Sequence, residues 1–469
     1  MQSHRNLFVC LLILLFAPVG MADIHMANGT KVGEVDQTSA VVWTRLTANP
    51  ERNVDGEPFD KSIKKPEEQP EYPDISRMES SVEGVTGEVQ VVYWPKGDKD
   101  SARTTPWQLV TAESDFTHQF RLEKLKPGSD YELQVKGRSR EASCKLNGRF
   151  RTAPDAAESK NVRFVVTTCG DYPRRDDPEN GHRIYPQMLS LNPDFFVHCG
   201  DIEYFDKPAP LAINLPLARF KWNRIFSMPF IRTFHNNVTS YFMKDDHDTL
   251  KNDAWSGQTY GDLTWEQGLR TFREQVPMKE KTYRTYRWGR DLQIWLVEGR
   301  DFRSPNKMKD GPGKTIWGDE QKQWFFDTVA ASDATFRVLL SPTPMVGPDR
   351  AKKNDNHANK GFTHEGDELR KFISEQENMF VVCGDRHWQY ASIDPKTGLR
   401  EFSCGPASDI HASGYKEEYR NDMHRYLKIV GGFLEVEVQA EGRQKQIIFR
   451  HHAVDGSTNN EESFAGAGR

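Results

Sequence analysis

The spacing of hydrophobic positions along the chain changes near residue 160. Before that point, short segments alternate apolar and polar residues, as in 38–46, 87–94, 116–122, 131–136 and 148–152. Such alternation predicts strands with one buried face, and turn residues such as 126–128 separate them. The pattern favours a β-sandwich domain over 23–152, with a polar, proline-rich insertion from residue 49 to about 81 predicted as a loop.

Beyond a predicted linker at 153–160, the apolar runs become short and nearly continuous. They occupy 163–166, 194–197, 241–243, 292–297, 336–340 and 379–383. Runs of this kind suit strands that are buried on both faces of a sheet. Helices are predicted between them at 182–191, 265–275, 319–330 and 365–375. The alternation predicts an α/β domain over 161–455, followed by a polar C-terminal tail at 456–469.

The first residues carry a separate pattern. A weakly basic start is followed by the apolar run 7–17 and by small residues up to Ala22. This pattern is typical of a secretory signal peptide, here predicted over 1–22, and the run is too short to span a membrane. We therefore expect an exported protein, periplasmic or extracellular after cleavage. Five cysteines follow this segment, and an odd number argues against a complete disulfide framework.

Composition narrows the function classes only a little. Hydrophobic residues make up 36% and charged residues 28% of the chain, and the formal net charge is -5. These values are ordinary for a globular protein. No basic block stands out, so we expect no specific binding of nucleic acid. The composition leaves the oligomeric state open.

Polar residues with metal-binding side chains follow five of the six predicted strands of the α/β domain. The stretches begin at Cys169, Cys199, Asp245, Glu298 and Cys383. A single acidic cluster is usually a solvated loop. Five such stretches at the same end of one sheet indicate a site, because ligands in these sheets bind beyond the carboxyl ends of the strands.

The residue types favour two metal ions. A first set combines thiolate, carboxylate, phenolate and imidazole: Cys169, Asp201, Tyr204 and His387. Three anionic ligands suit a strongly Lewis-acidic ion, and iron is favoured, although a thiolate equally admits zinc. A second set offers only oxygen, from Asp246, Asn252 and Asp385, and suits calcium, magnesium or manganese. Asp201 could bridge the two ions, and paired ions of this kind catalyse phosphoryl displacement.

Residues 161 to about 410 resemble the PhoD-like alkaline phosphatases of the calcineurin-like metallophosphoesterase superfamily. The motifs stand in family order: Cys169, Asp201 with Tyr204, Asp245-Asp246-His247 with Asn252, Arg300 with Arg303, Trp317-Gly-Asp-Glu-Gln321, and Asp385 with His387. A fibronectin III-like sandwich before the catalytic domain also fits this family. The resemblance implies a catalytic domain made of mixed β-sheets flanked by helices.

The same resemblance implies an exported phosphatase that hydrolyses phosphate esters by metal-activated hydroxide. It implies Fe3+ at Cys169, Asp201, Tyr204 and His387, and a second divalent ion at Asp201, Asp246, Asn252 and Asp385. Calcium is favoured for the second ion, with magnesium, manganese or zinc as alternatives. His247 would contact the phosphate or assist the leaving group, and Arg303 would bind the phosphate.

Some residues keep two interpretations. Arg300 could bind substrate or pair with Glu298 or Asp301, and Trp388 could line the pocket or lie in the core. Asp171 could be an additional metal ligand or only a loop acid. Two other functions also stay open. One is a phosphodiesterase or phospholipase D-like activity on the same site, and the other is a catalytically inactive surface binding protein.

Overall fold

The computed structural model describes residues 23–440 and 444–466, so the predicted signal peptide lies outside the described residues. The N-terminal domain has eight strands: β1 Thr30–Gly33, β2 Ala40–Arg45, β3 Gly87–Pro95, β4 Arg103–Thr104, β5 Gln108–Val110, β6 Thr117–Leu122, β7 Asp130–Arg138 and β8 Ser143–Arg151. They form two antiparallel sheets, β1-β2-β6 and β4-β3-β7-β8, and β5 pairs with β3. Alternate residues of β3 and β7 are buried in the core of this domain, as the alternating sequence predicts.

The insertion between β2 and β3 packs onto the second domain. Phe59 and Met78 are buried in the same hydrophobic core as helices of that domain, and the Phe59 ring lies 5.0 Å from the ring of Phe220. The side-chain amide of Gln69 donates to the carbonyl of Leu211 (2.6 Å). The polar insertion therefore packs along the surface of the second domain, and a few apolar side chains fix its position.

The second domain has fifteen strands among the described residues. They are β9 Val162–Thr167, β10 Phe195–Cys199, β11 Ser240–Met243, β12 Thr259–Tyr260, β13 Leu263–Thr264, β14 Arg284–Trp288, β15 Leu292–Leu296, β16 Phe336–Ser341, β17 Met379–Cys383, β18 Gln389–Ile393, β19 Arg400–Cys404, β20 His424–Lys428, β21 Phe433–Gln439, β22 Lys445–His452 and β23 Thr458–Gly466.

Seven α-helices connect the strands in the described part of this domain. They are α1 Ile184–Ser190, α2 Leu215–Phe226, α3 Pro229–His235, α4 Asp246–Thr249, α5 Trp265–Gln275, α6 Gly318–Ala330 and α7 Thr363–Ser374. Within the described residues, no helix is long and apolar enough to cross a membrane.

Two mixed sheets face each other in the second domain. One has the order β11-β10-β9-β21-β22-β23 and the other β14-β15-β16-β17-β19-β18-β20. Strands β9, β10 and β11 run parallel, as do β15, β16, β17 and β19. The carboxyl ends of these seven strands are therefore the places from which loops reach a common edge.

The core lies in three layers. Apolar residues of the two sheets, such as Phe164, Ile294 and Val382, pack together between them. Helices α1, α2, α3 and α5 cover the outer face of the first sheet, and α6 and α7 cover the second. This arrangement confirms the predicted sandwich of mixed sheets flanked by helices, preceded by a β-sandwich domain.

Several parts of the second domain differ from the sequence-based prediction, and strands β14, β18, β19 and β20 were not predicted. Helices α2 and α3 lie in a stretch for which no helix was predicted. Residues 458–466 form the edge strand β23, which pairs with β22, and not a polar tail. Only one large apolar side chain of this strand, that of Phe464, packs onto the core. Backbone hydrogen bonds to β22 therefore hold this segment as a strand, although its polar composition gives no sequence signal of a strand.

Buried polar contacts join the two domains. Glu34 is fully buried next to Arg284, whose Nη2 lies 2.8 Å from Glu34 Oε1. The Tyr286 hydroxyl also donates to Glu34 (2.6 Å), and the Tyr241 hydroxyl donates to the carbonyl of Val35 (2.5 Å). Because each buried group has a partner across the boundary, these contacts favour one relative orientation of the domains.

Candidate active site

An ionisable residue lies two positions beyond the last residue of five parallel strands. These residues are Cys169 after β9, Asp201 after β10, Asp245 after β11, Glu298 after β15 and Asp385 after β17. Three of them have left-handed backbones, with φ of 54° at Cys169, 57° at Asp201 and 61° at Asp385. Such φ values are strained for residues other than glycine and cluster at functional sites. The repeated turn brings the five side chains to the same edge.

Cys169, Asp201, Tyr204 and His387 surround one point. Asp201 Oδ2 lies 3.6 Å from Cys169 Sγ and 3.0 Å from the Tyr204 hydroxyl, which lies 3.4 Å from His387 Nε2. Separations of this size are those of ligand atoms about 2.0–2.3 Å from a common ion. Burial, and then the charge of Asp201, hold the pKa of the Cys169 thiol well above its usual value. A bound cation would relieve both effects.

Asp201 is common to three candidate ligand groups among the described residues. The groups are Cys169 with Asp201 and His387, Asp201 with Asp246 and His247, and Asp201 with Asp245 and Asp385. Asp201 Oδ1 and Asp245 Oδ2 are buried and have no hydrogen-bond partner within the described structure. Buried carboxylate oxygens without partners are costly unless a cation is close. The residues present therefore fit a metal site with more than one position.

Asn252 lies at the margin of this site. It is exposed, and its backbone N–H donates to Asp206 Oδ2 (3.0 Å). The neighbouring Asp253 N–H donates to Asp246 Oδ2 (2.5 Å). This loop therefore contacts the acidic cluster through its backbone, and a metal contact from the Asn252 side chain stays a prediction.

Arg300 is paired with the acidic cluster. Its Nε donates to Asp245 Oδ1 (2.5 Å), and its Nη2 lies 3.6 Å from Asp246 Oδ2. Lys244, just before the cluster, is balanced separately by Glu298 (2.6 Å) and Asp301 (2.8 Å). The guanidinium of Arg300 therefore pairs with Asp245 and Asp246, and not with the predicted partners Glu298 or Asp301. Its Nη1 has no partner within the described structure, so a substrate contact stays a prediction.

His247 is oriented by Asp206. Its Nδ1 lies 2.6 Å from Asp206 Oδ1, and its ring packs against the ring of Tyr204 at 4.3 Å between centroids. Burial lowers the pKa of His247, but the carboxylates of Asp206, Asp246 and Asp201 outweigh burial and raise the pKa to about 10. Nδ1–H therefore donates to Asp206, which leaves Nε2 as the free nitrogen of the ring.

Arg303 has spare donors. Its Nη2 donates to Asn306 Oδ1 (2.5 Å) and to the carbonyl of Asp355. Its Nε and Nη1 are buried without partners in the described structure, and the guanidinium lies over the ring of Phe362. A buried guanidinium with two nitrogens that donate to no partner is suited to bind phosphate oxygens.

Trp388 lies in a small hydrophobic core. Its side chain is 1% exposed and stacks on Tyr415 at 4.7 Å, and the same core contains Cys383 and Tyr390. This environment favours the core interpretation of Trp388, and a substrate contact stays a prediction.

Asp171 pairs with a neighbouring arginine. Its Oδ2 lies 3.3 Å from Arg174 Nε, its Oδ1 is buried without a partner in the described structure, and it belongs to none of the three groups found among the described residues. This environment favours the interpretation of Asp171 as a loop acid.

The carboxylate of Asp248 ties two loops of the site together. Its Oδ2 accepts from the backbone N–H groups of Asp201 (2.6 Å) and Asp245 (3.0 Å). Its Oδ1 accepts from Ile202 (2.7 Å) and Glu203 (3.0 Å). Asp248 is fully buried and touches neither Arg300 nor His247 by a hydrogen bond. It is therefore a positioning residue that sets the conformation of the turn at Asp201.

We expect Asp248→Asn to destabilise the protein and to weaken metal binding. In either orientation of the amide, two of the four backbone N–H groups would lose their acceptor, at about 1–3 kcal/mol each. The measurements are the melting temperature and the metal content of purified protein. The control is Asp55→Asn, at an exposed loop position. An unchanged melting temperature and metal content for Asp248→Asn would contradict the positioning role.

The sequence analysis missed two residues of the site. Asp206 follows Asp201 in the same loop, so an acid close behind a ligand was the available signal. His411 packs against His387 with 4.0 Å between ring centroids, and its Nδ1 donates to the carbonyl of Cys169 (3.1 Å). His411 follows β19, a strand that was not predicted, so its place at a strand end was hidden.

Comparison with known proteins identifies the family. The model of the PhoD-like phosphatase family matches residues 164–445, and the model of its N-terminal domain matches residues 18–154. The chain belongs to the PhoD-like phosphatase family. A curated relative of this PhoD-like chain is alkaline phosphatase D of Bacillus subtilis (strain 168), 22% identical over 333 residues. That match covers 60% of this chain and 56% of the relative.

Solved structures share the fold of this PhoD-like protein. A structure of PhoD aligns with a TM-score of 0.71 and 17% identity, over 94% of this chain and 90% of the other. A purple acid phosphatase from yellow lupin (Lupinus luteus) seeds aligns with a TM-score of 0.65 and 13% identity, over 94% and 75%. At these identities the alignments establish the architecture, including the sandwich domain before the catalytic domain.

Proposed function

We propose that this chain is an exported, metal-dependent phosphoric ester hydrolase of the alkaline phosphatase type. The observation that carries the proposal is the convergence of Cys169, Asp201, Tyr204 and His387 from separate loops, with Asp201 shared with two further groups of ligand atoms. Family membership and the name of the curated relative support the same chemistry. Export rests on the apolar N-terminal segment of the sequence.

The two sets of ligand residues differ in chemistry, and we propose a different metal ion for each set. Cys169, Asp201, Tyr204 and His387 would hold iron, because thiolate and phenolate suit a Lewis-acidic transition metal. Asp201, Asp246, Asn252 and Asp385 would hold a second divalent ion, with calcium favoured for an oxygen-only set. When bound, such ions make water more acidic and neutralise negative charge at phosphorus.

Arg303 binds the substrate phosphate in this proposal. Its Nε and Nη1 are available, whereas Nη2 is fixed by Asn306 and the carbonyl of Asp355. A guanidinium held in this way loses little side-chain entropy when it donates to phosphate oxygens. Arg300 keeps Asp245 and Asp246 in place and neutralises part of their charge.

His247 donates a proton to the leaving oxygen. Asp206 holds the ring through Nδ1, so Nε2 is the atom that can deliver a proton. The carboxylates around His247 favour its protonated form. Protonation of the leaving oxygen matters most when the alcohol that departs is a poor leaving group.

The proposal is tested by metal analysis and two assays on purified full-length protein. We expect the protein to contain iron and a second ion, and to release p-nitrophenol from p-nitrophenyl phosphate. The diester bis-p-nitrophenyl phosphate, assayed in parallel, distinguishes a monoesterase from a diesterase on the same site. Protein without bound metal, inactive on both substrates after loading with iron and calcium, would overturn the proposal. Turnover of the diester alone would assign the phosphodiesterase alternative.

A further inference from the structure

A cleft lies beside the candidate active site, between the two domains. Its volume is about 390 Å³, and its walls are the insertion of the N-terminal domain and the loops after β9 and β10. Asp171, two residues beyond Cys169, and Lys207, next to Asp206, both line it. The cleft is therefore built from the same two loops that carry the first candidate ligands and the partner of His247.

The cleft is strongly basic. Only two acidic side chains line it, those of Glu79 and Asp171. Six basic side chains line it: Lys61, Lys64, Arg174, Arg175, Lys207 and Arg224. The surplus of four positive charges contrasts with the net charge of -5 for the whole chain. A concave wall of one sign concentrates ions of the opposite sign.

Most of these charges have no acidic partner. Among the described residues, Lys61, Lys64 and Lys207 form no ion pair, and Lys64 Nζ donates only to the carbonyl of Lys61 (2.9 Å). Arg175 donates to the carbonyls of Pro178 (2.9 Å) and Tyr172 (2.8 Å), which satisfy its N–H groups without neutralising its charge. These side chains therefore keep positive charge available for a ligand.

Two guanidinium groups are held rigidly by Tyr172. The Arg175 guanidinium lies 3.9 Å and the Arg224 guanidinium 4.0 Å from the ring centroid of Tyr172. The Tyr172 hydroxyl contacts the hydroxyl of Ser80 in the insertion (2.7 Å). Arg224 also donates to the carbonyl of Ala209 (2.7 Å). Both sides of the cleft are thus linked, and the basic wall is preorganised.

The cleft adjoins the candidate metal ligands. Lys207 directly follows Asp206, whose Oδ1 lies 2.6 Å from His247 Nδ1. The carbonyl of Arg174 accepts from Ser408 Oγ (2.5 Å), just before the turn that carries His411, whose ring packs against His387. A phosphate group bound in the cleft would therefore lie close to a phosphate bound at His387. A substrate with two phosphate groups could occupy both places.

We propose that this cleft binds a second phosphate group of the substrate and makes the enzyme selective for esters that carry more than one phosphate. The inference rests on the proposed hydrolase function and adds the substrate class to it. A phosphate in the cleft would receive charge-assisted hydrogen bonds from lysines of both domains. Its volume is within the range of ordinary ligand pockets.

The test compares fructose 1,6-bisphosphate with fructose 6-phosphate. We expect kcat/KM to be at least about tenfold higher for the bisphosphate, and the difference to shrink in 0.5 M salt because ions screen the contact. The variant K61A/K64A/K207A should lose this preference and keep its activity on fructose 6-phosphate. The control K126A/K145A/K371A removes three exposed lysines outside the cleft and should keep the preference.

A binding experiment separates this inference from the proposed function. In an Asp201→Asn background, calorimetry measures the affinity for fructose 1,6-bisphosphate with and without the three cleft lysines. We expect about tenfold weaker binding without them, whether or not the unmodified protein hydrolyses the sugar phosphates. Equal affinities, or equal losses of activity on both sugar phosphates, would overturn the inference. Lysine-dependent binding together with no hydrolysis of p-nitrophenyl phosphate or bis-p-nitrophenyl phosphate would leave the cleft assignment standing and refute the hydrolase function.

Discussion

The variant Asp201→Asn is expected to lose both metal ions and to lower kcat/KM for p-nitrophenyl phosphate by at least about 10³-fold, or roughly 4 kcal/mol of transition-state stabilisation. Asp201 belongs to all three candidate ligand groups found in the described structure, and its buried Oδ1 has no partner there. An amide removes the negative charge and one acceptor oxygen from the middle of the site. Elemental analysis of purified protein and steady-state kinetics measure the two losses.

Asp171→Asn is the matched control for this prediction. Asp171 is an acid of similar burial, also with a positive φ, and it lies only two residues beyond Cys169. We expect this variant to keep its metals and its activity on p-nitrophenyl phosphate. If Asp201→Asn retained both metals, the shared-ligand assignment would be wrong. If Asp171→Asn lost a metal, Asp171 would be a ligand and not a loop acid.

The variant His247→Ala is expected to lower kcat by about 10²–10⁴-fold, because it removes the group that protonates the leaving oxygen. The loss should be larger for an alkyl phosphate than for p-nitrophenyl phosphate, whose leaving group needs little protonation. Asp206→Asn should show the same dependence on the leaving group with a smaller loss, since His247 stays but the partner of its Nδ1 loses its negative charge.

Metal content decides between two roles of His247. Its ring nitrogens lie close enough to Asp201 and Asp246 to form a candidate ligand group. A general acid can be removed without loss of metal, so we expect His247→Ala to contain the same metals as the unmodified protein. Loss of a metal ion together with activity, and equal losses on both leaving groups, would show that His247 is a ligand instead.

The basic cleft shows why the two domains belong to one functional unit. The sandwich domain contributes Lys61 and Lys64 through its insertion, and the catalytic domain contributes Lys207 and three arginines. The sequence of the insertion predicts a polar loop without regular secondary structure. Its position is fixed by Phe59 and Met78, which pack into the core of the other domain. Contacts between elements far apart in sequence leave no local signal.

The sequence by itself determined the strands that carry the site and the residue types at their ends. Near-continuous apolar runs such as 163–166 and 379–383 predicted buried strands, and β9 and β17 lie there. A strand buried on both faces has a local signature, because most of its side chains are apolar. The polar residue that follows such a run is equally visible in the sequence.

Tertiary structure decided which of these polar residues work together and which only pair with each other. Arg300 and Trp388 were both candidates for substrate contact, and only the folded structure shows that Arg300 pairs with Asp245 and that Trp388 stacks on Tyr415. Asp206, His411 and the four backbone contacts of Asp248 depend on how loops from different strands meet. Charge interactions and hydrogen bonds act through space over a few ångströms. The sequence therefore indicates which residues are candidates for the site, and only the folded structure shows which residues they contact.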